Sequence, residues 1–260
     1  MRRPLVTAFG SAALLVALSA AARADAFLSL QNGGTTVSCN TSIAFSIVNC
    51  GAGFVAVLNG NTIDFSGGVG GYTMSEIHFA NNSPGTAAIG FATDTKTNVQ
   101  NISAGATALI VNFAVNNFAL PGGTPLTLSA SQAATFVNSA AGSSQTFTGW
   151  GNAGNTLVPG VGTAVVVPTC VNPAAAPPVN ACSTAGTPVL FGRVGEFALS
   201  GQQVINLSQG GIGNFQGTIA VTPPIPGPPP SSVPEPGSLV LLATGLLGLV
   251  GGRRMFRRKI

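Results

Sequence analysis

Phe54-Val55-Ala56-Val57-Leu58, then Asn59-Gly60, then Asn61-Thr62-Ile63-Asp64-Phe65 is two apolar-rich runs flanking the dipeptide that a type I′ hairpin demands. Both central residues of that turn need positive φ, and Asn followed by Gly meets the demand with least steric strain. The stretch therefore predicts an antiparallel hairpin. The same chemistry recurs outward from it. Between Thr107 and Val115, Leu109, Val111, Phe113 and Val115 share one parity and Ile110, Asn112 and Ala114 the other, the period of a half-buried strand. Asn116-Asn117 then shifts the phase, as a bulge or turn does. Phe215, Gly217, Ile219 and Val221 alternate with Gln216, Thr218, Ala220 and Thr222 in a closing strand.

Further strands are predicted at Ile43–Val48, Tyr72–Phe79, Ala87–Thr93, Leu126–Ala130, Gln145–Trp150, Ala164–Val167, Val189–Leu199 and Val204–Leu207, with Gly, Asn, Ser or Pro between nearly all of them. Many short strands without a sustained 3.6-residue period predict an all-β chain, an antiparallel β-sandwich or jelly-roll-like domain. No repeat of fixed period argues for a solenoid or propeller.

The ends are different in kind. Arg2 and Arg3 precede a small-and-apolar run from Ala8 to Ala22, followed by Ala22-Arg23-Ala24-Asp25-Ala26. That is the charged, apolar and small-x-small order of a signal peptide helix, with cuts after Ala24 or after Ala26 both compatible. Residues 1–26 thus read as a signal peptide and 27–222 as the exported β-rich domain. Residues 223–232, Pro223-Pro224-Ile225-Pro226-Gly227-Pro228-Pro229-Pro230-Ser231-Ser232, read as an extended spacer, about 30 Å long at polyproline rise. Residues 233–260 carry Val233-Pro234-Glu235-Pro236, an apolar run from Gly237 to Gly252, and a basic tail of Arg253, Arg254, Arg257, Arg258 and Lys259. As a helix the apolar run is ~24 Å long against a hydrocarbon core of ~30 Å, a single transmembrane helix short enough to be a transient anchor. The basic tail places itself on the cytoplasmic side and the body outside.

These last residues, in order, spacing and tail, resemble the PEP-CTERM sorting domain of exported Gram-negative bacterial proteins, the substrates of exosortase. The resemblance covers the C-terminal segment and stops before the body. It implies transient retention in the inner membrane, cleavage near Pro-Glu-Pro by that membrane protease, and release or transfer to the cell surface, often alongside exopolysaccharide production.

Charge excludes one class outright. The chain carries a formal net charge of +4, but only Lys96 and Arg193 lie between Phe27 and Thr222, against Asp64, Glu76, Asp94 and Glu196. The body is therefore faintly acidic, at −2, and offers no basic patch for nucleic acid. Cys39, Cys50, Cys170 and Cys182 all fall in the exported body and predict two disulfides. Of three connectivities, Cys39–Cys50 with Cys170–Cys182 is favoured, because the second pair brackets a proline-rich excursion, Val171 to Ala181, expected to pair in no sheet. Zinc is excluded by spacing, since neither pair is C-x₂₋₄-C and His78 is remote from both.

Candidate chemistry in the body is sparse. Glu76 and His78 share a strand face and would suit a metal or proton relay, but a solvated strand face is the favoured explanation, with no second His and no clustered carboxylate in the sequence. A secreted polysaccharide hydrolase or lyase would need Glu76, His78 and a further carboxylate, Asp64 or Asp94, to converge in a cleft. A carbohydrate-binding module would need Trp150 or Tyr72 exposed on a concave face. Arg193 and Glu196 are expected to pair with charges across neighbouring strands. The leading expectation is an exported, non-catalytic protein of the surface or extracellular matrix of a biofilm, with no cofactor and no metal. Its expected partners are exosortase and, transiently, the inner membrane, together with exopolysaccharide or further copies of itself, since the body lacks the lysines that guard sheet edges.

Overall fold

The computed structural model describes residues 24–41, 49–56, 61–173 and 179–224. Among them every regular element is a strand, fifteen in all, and every pairing is antiparallel. Both flanking helices expected at the termini, and the strand expected at Ile43–Val48, lie outside the described residues. One sheet runs β11 (Thr163–Val171), β10 (Ser144–Asn152), β14 (Phe197–Asn206), β8 (Leu109–Phe118), β1 (Ala26–Asn32), β2 (Thr35–Asn40), β3 (Asn49–Cys50). The other runs β12 (Val179–Ala185), β9 (Leu126–Val137), β15 (Ile212–Thr222), β7 (Gly90–Asn101), β6 (Tyr72–Asn81), β5 (Thr62–Val69), β4 (Phe54–Ala56), with β13 (Val189–Phe191) also beside β9.

The hairpin expectation is met in register. A two-residue turn at Asn59-Gly60 requires Ala56 to oppose Ile63 and Phe54 to oppose Phe65, and those are the observed partners. The turn residues themselves lie outside the described residues. In β8, Leu109, Val111, Phe113 and Val115 are all buried, and Phe118 is buried again after two half-exposed asparagines. Asn117 has φ +61 and the pairing to β14 slips there, so the phase shift is a bulge. Phe215, Gly217, Ile219 and Val221 point inward from β15 as their alternation predicts.

One core fills the space between the sheets. Phe79 on β6 meets Phe113 on β8 with ring centroids 5.4 Å apart, and Phe191 on β13 meets Phe197 on β14 at 5.5 Å. Each pair joins opposite sheets, and aromatic contacts of this kind add to what area burial contributes. The sheets also approach where a side chain is missing. A Cβ on Gly149 of β10 would stand 2.5 Å from Ile219 Cδ1 of β15.

Several expectations need correction. The stretch Val189–Leu199 is not one strand, because Gly195 (φ +92) and the exposed Gly192 and Val194 lie in a turn between β13 and β14. The proline-rich excursion is narrower than expected: Val171 ends β11, and Val179 to Ala181 belong to β12. Pro168 sits inside β11, tolerated because β11 is an edge strand and its pairing to β10 slips at that point. The first strand opens at Ala26, one residue before the expected start of the body, and Ala26 is fully buried.

Both disulfides have the favoured connectivity. Cys39 and Cys50 stand opposite each other on neighbouring strands of one sheet. Cys170 and Cys182 join β11 to β12, the edge strands of opposite sheets.

Candidate functional site

The outer face of the β4-to-β12 sheet holds the one cluster of metal-ligating side chains found among the described residues. Asp64 on β5 stands opposite His78 on β6, and His78 Nδ1 lies 2.5 Å from Asp64 Oδ1. Glu76, two residues before His78, shares that face, and ligand atoms of all three lie within 4.8 Å of one another. Alternation along β6 brings Glu76 and His78 together, and cross-strand register brings in Asp64. The three together offer a cation two carboxylates and an imidazole. Yet the Asp64 and His78 side chains are 37% and 42% exposed, and Glu76 is exposed too, so the cluster stands on an open surface. Asp94 does not join it. It points inward from β7, while its neighbour Thr95 faces outward opposite His78.

The outer face of the β3-to-β11 sheet is different. Thr148, Gln202, Asn112, Ser29 and Ser38 are in lateral register across five strands. Gln202 Nε2 donates to Asn112 Oδ1 at 2.9 Å, and Asn112 Nδ2 to Ser29 Oγ at 3.4 Å. Trp150, half-buried, occupies this face one step along β10 from Thr148. Tyr72, the other candidate for a sugar platform, is 1% exposed and unavailable for stacking on a ligand. Its hydroxyl donates to the Ile205 carbonyl at 3.4 Å and accepts from the Leu207 amide at 3.3 Å, bridging β6 to β14 of the other sheet. Burial raises the Tyr72 pKa, and the Leu207 amide partly opposes that.

A buried polar cluster that the sequence reading missed lies between the sheets. Lys96 and Asp94, two apart on β7, both face inward with no side-chain exposure and form an ion pair. Lys96 Nζ also donates to Gln203 Oε1 of β14, across the core. Burial pushes the Asp94 carboxyl up and the Lys96 ammonium down, each opposed in part by the other's charge. Asp94 Oδ1 and Gln203 Nε2 have no hydrogen-bond partner. The available signal was parity: the predicted strand stopped at Thr93, and extending it would have put Asp94 and Lys96 on the face of Ala92.

Arg193 makes no ion pair among the described residues, where a charge on a neighbouring strand was expected. Its guanidinium donates to the carbonyls of Gly195 at 2.7 Å, Pro121 at 2.6 Å, Ala119 at 3.2 Å and Gly123 at 3.4 Å. It also lies 5.0 Å over the Phe197 ring. The loops at 119–124 and 192–196 offer carbonyls instead of carboxylates, and a planar five-donor fork suits them.

At the start of the body, the Asp25 amide donates to Asn116 Oδ1 at 2.8 Å, Asn116 Nδ2 donates to Asp25 Oδ2 at 3.2 Å, and Ala24 is 6% exposed. At its end, the compact unit stops at Pro223. Among the described residues no helix is long and apolar enough to cross a membrane. The Pro-Glu-Pro segment, the apolar run and the basic tail lie outside those residues.

Sequence comparison assigns that segment. Residues 232–258 match the PEP-CTERM protein-sorting motif. The chain is thus an exported protein with a C-terminal, membrane-anchored sorting signal, processed by exosortase at the membrane. No curated protein matches it. Among solved structures, a chain in the structure of infectious bursal disease virus Gx strain is similar at 12% identity over 86% of this chain and 68% of that one, with a TM-score of 0.20. A likeness at that level carries no argument for the body.

Proposed function

We propose that the chain is a non-catalytic protein of the cell surface or extracellular matrix that associates with exopolysaccharide through the outer face of the β3-to-β11 sheet. The observation that carries this reading is the uncharged, half-exposed row Thr148, Gln202 and Asn112 beside Trp150. Hydroxyls and amides both donate and accept, matching sugar hydroxyls, and an indole offers an apolar face with a polar edge. No charge on the row must be desolvated when a neutral polymer lies along it. Self-pairing through sheet edges is less well supported. Pro168 and the pairing slip blunt β11, and the Cys170–Cys182 bond ties it to β12.

The hydrolase or lyase alternative would use Glu76, His78 and Asp64. Their open setting gives a transition state little of the water exclusion that strengthens electrostatic catalysis.

The exported full chain should co-sediment with isolated exopolysaccharide, and Trp150→Ala, which removes the apolar ring face beside the row, should weaken that binding roughly tenfold, about 1.4 kcal/mol. An exported chain that stays wholly in the supernatant at every polymer concentration sinks the proposal.

Two processing steps belong to the same reading. Signal cleavage falls after Ala24, because a cut after Ala26 would remove the first residue of β1 together with the Asp25–Asn116 bonds. Cleavage near Val233, Pro234, Glu235 and Pro236 then frees the body from the segment ending in Arg253, Arg254, Arg257, Arg258 and Lys259. N-terminal sequencing that begins at Phe27, or an intact mass that retains the basic tail, contradicts the respective step.

A further inference from the structure

Lys96 is the one lysine between the signal region and the basic tail, and it lies at the centre of the core. On the strands flanking β7, Lys96 is opposite Ile77 and Phe215, and Asp94 is opposite Phe79 and Gly217. Ile77, Phe79 and Phe215 are all buried, so the ion pair sits among hydrocarbon. Gln203 reaches this pair from the other sheet. Its amide nitrogen is accommodated by Gly217, where a Cβ would stand 2.5 Å from Nε2 and 2.9 Å from Phe147 Cε2. Lysine has no acceptor, so it is the amide oxygen that faces Nζ. Cδ of Gln203 is therefore one bond beyond the atom that Lys96 touches.

Two polar atoms at this spot, Gln203 Nε2 and Asp94 Oδ1, lack partners. Orphaned polar atoms and an ion pair deep in a core are both unfavourable. One reaction removes the orphaned amide nitrogen and the lysine charge together.

We propose that Lys96 and Gln203 become joined by an intramolecular isopeptide bond, with Asp94 carrying the proton. Neutral Lys96 Nζ adds to Gln203 Cδ, forming the Nζ–Cδ bond. Asp94 Oδ2 accepts a proton from Nζ, and once addition has made Cδ tetrahedral and swung Nε2 out of the amide plane toward Asp94, the carboxyl delivers a proton to Nε2. The Cδ–Nε2 bond breaks and ammonia leaves. Asp94 ends as protonated as it began, no electrons are transferred, and the chain becomes lighter by one ammonia. Burial, which drives Lys96 toward the free amine and Asp94 toward the acid, favours the protonation states that the reaction needs. The product ties β7 of one sheet to β14 of the other, across a sequence separation of 107 residues.

The body's scarcity of basic residues makes the test decisive. Between Phe27 and Thr222 trypsin can cut only after Lys96 and Arg193. The exported full chain is denatured, reduced, alkylated, digested to completion and weighed. Neither disulfide spans Arg193, and both are opened by reduction. A linked chain resists cleavage at Lys96, and the pieces on either side of Arg193 stay joined as one species, lighter by one ammonia than their sum. An unlinked chain releases Thr97–Arg193 as a free peptide, and its quantitative recovery from the wild-type protein overturns the proposal. Lys96→Arg keeps the charge but is no nucleophile, so it should release the corresponding peptide in full; a species still joined across Arg193 places the link elsewhere and overturns the assignment. Asp94→Asn, exported with its disulfides formed, should lose most of the linked species. Linkage to the wild-type extent would remove Asp94 from the mechanism.

Discussion

Cys170 and Cys182 are bonded across the rim of the body, each on the edge strand of a different sheet, with their Cα atoms 5.7 Å apart. The other disulfide joins two neighbouring strands of one sheet. The two sequence separations, 12 and 11, are nearly equal, so chain-entropy arguments assign each about 3 kcal/mol. Their second effect should differ. Cys170→Ser with Cys182→Ser frees β11 and β12 from each other and exposes two sheet edges. Light scattering during storage should rise for that double variant and stay near wild type for Cys39→Ser with Cys50→Ser, at similar losses of stability by urea unfolding. Equal aggregation of the two would mean that the rim bond guards no edge.

Tyr72 is the chain's one tyrosine, so phenolate absorbance reports it alone. Its pKa in the folded protein is raised by burial above the unfolded value of about 10. A raised pKa means that the folded state holds its proton longer than the unfolded state. The associated stability is therefore complete below about pH 10 and is lost as pH rises through the folded value. Phenolate should appear together with loss of β signal in circular dichroism, above pH 10. A titration near pH 10 with the fold intact would show that the hydroxyl is open to water. Tyr72→Phe should abolish this alkaline limb while costing about 1 kcal/mol at neutral pH for the bonds to Ile205 and Leu207.

Strands of regular alternation were legible in the sequence, and so was the phase shift at Asn116-Asn117, because both depend on local parity. β1, β2 and β12 were not. Ala26–Asn32 and Thr35–Asn40 mix apolar residues with amides and hydroxyls, and they become strands because β8 and each other supply partners. β12 forms by pairing with β9 along its whole length, which no local pattern reveals. For the site, Glu76 and His78 were legible as one face. Their meeting with Asp64 depends on hairpin register, and the meeting of Lys96 with Gln203 depends on how two sheets stack, a contact 107 residues apart in sequence. Arg193 misled because its partners are backbone carbonyls, which every sequence contains everywhere.

Close approach of the sheets at Gly149 is expected to be strict. Ile219 is fully buried beneath it, with Cδ1 2.5 Å and Cγ1 3.1 Å from where a Cβ would stand. Gly149→Ala must displace Ile219 or spread β10 from β15, at about 1–3 kcal/mol. Gly192→Ala meets nothing within 4 Å and serves as the control. A thermal shift of several degrees for the first and none for the second is the expected outcome. Equal midpoints would show that the core yields at this contact.

Arg193 holds the loops at 119–124 and 192–196 by one guanidinium shared among four carbonyls and laid over Phe197. A lysine keeps the charge but has a compact ammonium with three donors and no plane to set on a ring. Arg193→Lys should therefore behave more like Arg193→Ala than like the wild type, with losses of about 1 kcal/mol, because only the bond to the Pro121 carbonyl is partly buried and the other three are exposed. Hydrogen exchange at the amides of Ala119 and Leu120, which bond to the Pro84 carbonyl at 3.0 and 2.9 Å, gives a local readout. Those amides should exchange faster in both variants, while amides at the Ile212 end of β15, paired there with Gln100 and Val137, keep wild-type protection. Wild-type protection at Ala119 and Leu120 in Arg193→Lys would mean that positive charge alone holds the loops and that the fork geometry adds nothing.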